Sequence, residues 1–131
     1  MKNKYVLSVA IGVLLLVSSM VMGMIVNTIF PSLMTEYAGP VFRQMDDPMW
    51  MLFLAYPIVF GVLLTHLWLR TKKSWKGGMD YGLAMGVFLA VPMLLVNLSS
   101  FAVSALMAVS WSVFGFVNCL IAGLVLEKLD D

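Results

Sequence analysis

Four long apolar runs constrain this chain more than any other feature. The runs cover residues 5–30, 48–70, 81–98 and 101–126. Apart from Arg70 at the very end of the second run, none of them contains an Asp, Glu, Lys or Arg. A helix needs about 20 such residues to cross the ~30 Å hydrocarbon layer of a membrane. We therefore predict an all-α fold, a four-transmembrane-helix bundle that forms a single membrane domain over residues 1–131.

Composition supports a lipid environment for most of the chain. Of its 131 residues, 62% are hydrophobic and 11% charged, against about 25% charged in soluble domains. The first run is longer than the apolar region of a signal peptide, so we interpret it as a transmembrane helix. The single cysteine, Cys119, excludes an intramolecular disulfide. The few basic residues give no reason to expect nucleic-acid binding.

The positions of the basic residues predict how the bundle is oriented. With four spans, the N-terminus, the loop between the second and third runs, and the C-terminus lie on one side. Only Arg43 falls on the other side. The positive-inside rule therefore predicts that both termini face the cytoplasm, N-in and C-in. The seven basic residues on the cytoplasmic side are Lys2, Lys4, Arg70, Lys72, Lys73, Lys76 and Lys128.

The segment 31–47, between the first two spans, carries a helical stripe of apolar residues. We predict a short outer interfacial helix, kinked at Gly39-Pro40, and a plain loop is the alternative. Asp47-Pro48 is a typical helix start for the second span. Asp80 is a candidate cap for the third span, and residues 97–100 are expected to form a tight turn before the fourth. The stripe consists of Leu33, Met34, Tyr37, Ala38, Val41, Phe42 and Met45.

Small residues recur along one face of several spans, at steps of three, four or seven. In lipid such residues allow helix backbones to approach closely, because the hydrophobic effect no longer drives helix association. In the fourth span they form a seam with alternating steps of three and four. The candidate packing residues are Gly12, Gly23, Gly82, Gly86, Ala90, Ala105, Ala108, Ser112 and Gly115.

The spans contain few side chains that carry chemistry. Membrane catalysis or ion transport normally requires ionisable residues at depth, so we expect neither an enzyme nor a resident cofactor. His66, the only histidine, is a candidate ligand, although a hydrogen bond to a neighbouring helix is the more common role. Asn27, Asn97 and Asn118 are amides within or near the membrane. They suit interhelical hydrogen bonds, or a site for a polar solute.

Methionine is unusually frequent, and seven of the twelve fall between residues 20 and 51. Thioethers are soft ligands for Cu(I), but methionine is also a flexible packing residue. Met20 and Met24 share a helix face, and Met45 and Met49 would do so if their turn is helical. These four residues are the candidate metal ligands.

One set of residues resembles a pattern in known proteins: the glycine-rich segment 77–88, Asn97, Trp111 and segment 121–126, together with Asn27, Thr28, Pro31, Tyr37 and Phe42. On these residues the chain resembles a broad group of uncharacterised small bacterial four-span inner-membrane proteins. The resemblance covers most of the chain, and it implies a four-helix fold and a location in the bacterial cytoplasmic (inner) membrane. It implies no catalytic residues.

These patterns lead to three functional hypotheses. The first is an oligomeric or accessory subunit of a larger membrane complex, because four helices leave surplus small-residue faces. The second is a channel or transporter for a neutral or hydrophobic small solute, with a kink at Pro57 acting as a gate. The third is copper handling through the outer methionines. The expected partners are the lipid bilayer and either copies of this chain or a larger membrane complex.

Overall fold

The chain is helical over most of its length. The computed structural model describes residues 3–130, and Lys2, used above for orientation, lies outside them. Four of the helices are long and apolar enough to cross a membrane. The α-helices are α1 (Lys4–Ile29), α2 (Ser32–Tyr37), α3 (Leu52–Thr71), α4 (Gly78–Ser100) and α5 (Ala105–Leu129), with 3₁₀ turns at Pro48–Met51 and Lys72–Ser74.

The four long helices form two packed pairs. α1 lies along α3, α4 lies along α5, and α5 also packs against α1 and so joins the pairs. At the first crossing, a Cβ atom on Gly61 would lie 2.5 Å from the Cα of Gly12. At the second, a Cβ on Gly82 would lie 2.8 Å from the carbonyl oxygen of Cys119. Both approaches are possible because glycine has no side chain.

The core lies between these helices, towards the end of the bundle that holds the α3–α4 loop. Tyr81 on α4 is fully buried, and its hydroxyl donates a hydrogen bond to the carbonyl oxygen of Leu64 at 2.6 Å. Its ring packs edge-on against Trp68. The buried cluster consists of Leu7, Ile11, Leu15, Leu64, Trp68, Tyr81, Cys119, Ala122 and Leu126.

The start of the second span agrees with the prediction. Asp47 is the cap, and its Oδ1 accepts a hydrogen bond from the Met49 N–H at 2.9 Å. Pro48 occupies the first position of the 3₁₀ turn that leads into α3. This position suits proline, because an N–H there would have no partner within the helix.

The prediction that Asp80 caps the third span is wrong. α4 begins at Gly78 with Gly77 as its cap, and Asp80 lies in the first turn, where its carboxylate accepts a hydrogen bond from the Lys76 N–H at 3.1 Å. A carboxylate in the first turn still favours the helix, because it faces the positive end of the helix dipole.

The tight turn expected at residues 97–100 is also absent, because α4 continues to Ser100. The Ser99 hydroxyl bonds to the carbonyl oxygen of Val96 at 3.3 Å, so this polar residue is accommodated within the helix. The connection is residues 101–104. Ser104 caps α5, and its Oγ accepts a hydrogen bond from the Met107 N–H at 3.1 Å.

The segment 31–47 contains one short helix, but the expected kink at Gly39-Pro40 lies beyond its end. α2 spans six residues and ends at Tyr37, so Gly39 and Pro40 lie in the turns that follow it. Leu33, on α2, is buried with 2% of its surface exposed. The apolar stripe is therefore helical only from Leu33 to Tyr37. Its later residues lie in turns and irregular chain.

Candidate functional site

Two acidic residues near the end of α5 fasten the loop between α3 and α4. Oδ2 of Asp130 accepts hydrogen bonds from Lys72 Nζ at 2.7 Å and from the Trp68 indole N–H at 3.0 Å. The Asp130 side chain is only 9% exposed, whereas that of Lys72 is 40% exposed. Asp130 therefore forms a charge-assisted hydrogen bond with Lys72 at the edge of the buried core.

Glu127 makes the second contact of this kind. Its Oε2 accepts a hydrogen bond from the Gly78 N–H at 2.9 Å, at the first residue of α4. Unpaired N–H groups and the helix dipole make this position favourable for a carboxylate. A Cβ atom on Gly77 would lie 2.9 Å from Glu127 Oε1, so glycine leaves room for the carboxylate. We call Glu127, Asp130 and their partners Trp68, Lys72 and Gly78 the C-terminal clamp.

The clamp holds a loop that is also ordered by Trp75. The Trp75 indole N–H donates to Oγ1 of Thr71 at 2.9 Å, and its ring packs edge-on against Tyr81 with a centroid distance of 5.5 Å. Arg70, Lys73 and Lys76 are exposed. Within residues 3–130 these three side chains form no salt bridge, so the end of α3 and the loop after it present three cations.

The clamp was not predicted from the sequence, in which Lys128 was the only residue after position 126 that received a role. The available signal was the charge pattern. Two carboxylates lie at the end of α5, on the side of the bundle that carries the basic loop. Contacts between these carboxylates and the loop could therefore have been expected. The particular partners, Lys72 and the Gly78 N–H, depend on how α4 and α5 pack.

A buried amide lies in the middle of the bundle. Asn118 on α5 is 3% exposed, and its Nδ2 donates a hydrogen bond to Oγ of Ser19 on α1 at 2.9 Å. Within residues 3–130, two buried side-chain oxygens have no hydrogen-bond partner, Oδ1 of Asn118 and Oγ of Ser112. A buried acceptor left unpaired costs about 1–3 kcal/mol. Asn118 therefore joins α1 to α5 and keeps one unused acceptor.

The other polar candidates lie apart from this contact. His66 is exposed on the outside of α3, and Asn27 and Asn97 are half-buried near the far ends of α1 and α4. Asn97 lines an open groove on α4 together with Phe88, Pro92 and Met93. Among residues 3–130, no side-chain hydrogen bond involves Asn27 or Asn97. Of the four candidates, only Asn118 is held by another helix through its side chain.

The candidate packing residues fall into two groups. The first group packs inside the bundle. Gly12 faces Ile58 on α3, and three glycines lie where α4 meets α5: Gly82, Gly86 and Gly115. Ala108 and Ser112 are buried, and Ala90 is half-buried. Ala105 is exposed, and a Cβ on Gly23 would meet nothing within 4 Å. Gly61, Gly78 and Gly123 were not among the candidates but also make close crossings. The four-residue spacing from Gly78 to Gly82 could have revealed one of them.

The candidate metal ligands all point outward. Met20, Met24, Met45 and Met49 are 55%, 70%, 77% and 52% exposed. Residues 3–130 also contain no group of three or more His, Cys, Asp or Glu side chains that could hold a metal ion. The four thioethers therefore line no buried pocket within this chain.

At the end opposite the clamp, segment 31–47 packs on the start of α5. The Trp111 indole N–H donates to the Tyr37 hydroxyl at 2.6 Å, and Phe42 packs against both rings. Glu36 Oε2 accepts a hydrogen bond from the Ser104 N–H at 2.9 Å. Burial raises the pKa of Tyr37, since a phenolate would lose its hydration there. These contacts hold α2 against α5.

The fold defines a class of protein, an all-helical chain with four helices long and apolar enough to cross a membrane. Comparisons with protein-family models, with curated proteins and with solved structures found no match. The resemblance to the small four-span bacterial group therefore stays a prediction.

Proposed function

We propose that this chain is a small integral membrane protein that acts as an oligomeric or accessory subunit of a membrane complex. In this proposal it lies in a bacterial cytoplasmic membrane with both termini inside, and α2 lies at the outer surface. The positions of the basic residues support this orientation, because the described ones other than Arg43 lie at or beside the end that carries the C-terminal clamp.

The packed interior supports a structural role over a conducting one. Ile11, Leu15 and Tyr81 fill the space between the helices and are 0% exposed. Thr65 is also buried, but its hydroxyl donates to the carbonyl oxygen of Gly61 in its own helix at 2.8 Å. The Tyr81 and Thr65 hydroxyls are thus bonded to backbone carbonyl oxygens, which supports a packed core over a water-filled passage.

The observation that carries the proposal is a set of unpartnered small and amide groups on the outer halves of α1 and α4. A side chain at Gly23 would meet nothing within 4 Å, and Asn27 lies one turn further along the same helix face. Asn97 lies in the open groove of α4. In lipid, small residues and amides are typical of helix–helix interfaces, since hydrocarbon offers an amide no hydrogen bond.

The exposure of α4 is consistent with this reading. Only 11% of the apolar stretch of α4 is buried, against 44% for α5. α4 packs mainly on α5, which leaves its other faces to lipid or to another subunit. Exposed apolar surface alone demands no partner in a membrane, so Gly23, Asn27 and Asn97 are the residues that indicate one.

Co-purification tests the proposal. A tagged chain, expressed at its native level beside an untagged copy, is extracted from its own membrane in a mild detergent. We expect the tag to retain the untagged copy or a defined membrane protein in fixed ratio. Recovery of the tagged chain alone, as a monomer, would contradict the proposal.

Transport of a neutral small solute is a second candidate, and the unused Asn118 acceptor favours it. A solute with a hydrogen-bond donor could bind this oxygen if the contact between α1 and α5 opened. Flux of such solutes into liposomes that contain the protein should then fall when Asn118 is replaced by Leu. Flux equal to that of protein-free liposomes would rule this candidate out.

A further inference from the structure

The α3–α4 loop carries a positive surface that the clamp only partly neutralises. Four basic residues lie within seven positions of the chain, from Arg70 to Lys76. Lys72 is paired with Asp130 at 2.7 Å. Among residues 3–130, the other three take part in no salt bridge, and their side chains are exposed. The loop therefore has a net surplus of cations at one edge of the bundle.

The position of the loop determines which anions it meets. α3 and α4 are both long and apolar enough to cross a membrane, and the loop joins their ends directly. Its cations therefore lie at the level of the lipid headgroups, where clusters of Lys and Arg attract anionic lipids. A phosphodiester headgroup is the nearest abundant anion at this level.

The loop is also preorganised. Trp75 is held by Thr71 and Tyr81, and Glu127 fixes the first residue of α4. Binding an anion to this loop costs little backbone entropy, since the backbone is already ordered in the free protein.

We propose that Arg70, Lys73 and Lys76 form a binding surface for the headgroups of anionic phospholipids, and that Asp130 limits its charge by neutralising Lys72. Glu127 makes the α4 N-terminus unavailable to a headgroup, because its own carboxylate already accepts the Gly78 N–H. The lipid is therefore held by the side chains of the loop, and the C-terminal residues set how strongly. This inference is independent of whether the chain forms oligomers.

The test measures lipid selectivity on the full chain. Purified protein in a neutral detergent is titrated with phosphatidylglycerol or with phosphatidylcholine of the same acyl chains, and bound lipid is counted by native mass spectrometry. We expect the wild type to prefer phosphatidylglycerol. Lys73→Gln with Lys76→Gln should lower that preference about fivefold for each charge removed. Asp130→Asn, which frees Lys72, should raise it by a similar factor.

Two controls separate the local surface from overall charge. Arg43→Gln removes one exposed charge at the opposite end and should leave the preference unchanged. Lys72→Gln combined with Asp130→Asn removes a neutral pair and should also leave it unchanged. Equal binding of the two lipids by the wild type would overturn the proposal. It would also be overturned if the Lys73→Gln/Lys76→Gln variant preferred phosphatidylglycerol as strongly as the wild type does. Displacement of phosphatidylglycerol by excess inorganic phosphate would identify a site for free anions and overturn the assignment to lipid.

Discussion

Asp47 shows how a single side chain fixes the start of a membrane helix. Its carboxylate accepts hydrogen bonds from the Met49 N–H and from Arg43 Nη1, the latter at 2.7 Å. The backbone contact, followed by the contact with Arg43, holds the pKa of Asp47 below its ordinary value of 3.8. Folding therefore favours the ionised form. The contribution of the Asp47 carboxylate to folding stability is fully present above pH 3.8 and is lost as the pH falls through the depressed pKa.

The variant Asp47→Asn tests this charge effect. It keeps an oxygen that can accept the Met49 N–H but has no carboxylate to titrate. We expect acidification through pH 3.8 to lower the thermal unfolding midpoint of the wild type more than that of the variant, measured in detergent by circular dichroism. Equal losses in the two proteins would show that Asp47 is not stabilised by its charge.

Tyr37 provides a second prediction at the level of one residue. Tyr37→Phe removes the acceptor of the partly buried Trp111 indole N–H, and we expect it to destabilise the folded protein by about 1 kcal/mol. Tyr5→Phe is the matched control, since Tyr5 is 70% exposed, and it should change stability little. Chemical unfolding followed by tryptophan fluorescence measures both. Equal stability of the two variants would contradict a role for this hydrogen bond.

At the scale of the helices, the glycine crossings set how closely α4 approaches α5. Gly82→Ala would place a methyl group 2.8 Å from the Cys119 carbonyl oxygen, which forces the helices apart. We expect a loss of about 1–3 kcal/mol, typical of overpacking. Ala10→Leu is the control, because Ala10 is exposed on α1. It should change stability little, since alanine and leucine both favour the helix. The unfolding midpoints of the two variants in detergent would be compared, and a Gly82→Ala variant as stable as wild type would contradict the close crossing.

The sequence was sufficient to predict the number and type of long helices, because uninterrupted apolar runs leave a chain few alternatives in lipid. It was less reliable at helix ends. Asn97, Ser99 and Ser100 were expected to break the helix, but a serine hydroxyl can bond within its own helix, as Ser99 does. The signal that marks the true boundary is Ser104, an N-cap residue that the apolar pattern around it conceals.

Contacts distant in sequence could not be predicted in the same way. Tyr37 and Trp111 are 74 positions apart, and Trp68 and Asp130 are 62 apart. Residue types indicated that these groups prefer partners, but the choice of partner depends on which helices pack together. The pairing of α4 with α5, and the use of α5 to join the two pairs, is a property of tertiary packing that helical periodicity does not encode.

On the scale of the whole molecule, the two ends of the bundle are tied differently. The C-terminal clamp uses charged groups to hold the α3–α4 loop, whereas the opposite end uses the aromatic contacts of Tyr37, Phe42 and Trp111. Towards the α2 end of the bundle, an added Cβ at Gly23 would meet nothing within 4 Å. Within residues 3–130, Asn27 and Asn97 make no side-chain hydrogen bond. The central claim is that another subunit covers these groups.

The most direct test of this claim is native mass spectrometry of the protein extracted from its own membrane in a mild detergent. The account predicts that the wild type has a mass well above the 14.5 kDa of one chain, either a multiple of it or a complex with another protein. Gly23→Leu, which fills an open position, should shift the protein towards the single-chain mass, whereas Ala10→Leu at an exposed site of α1 should not. A wild type found only at 14.5 kDa, with its lipids retained, would contradict the account.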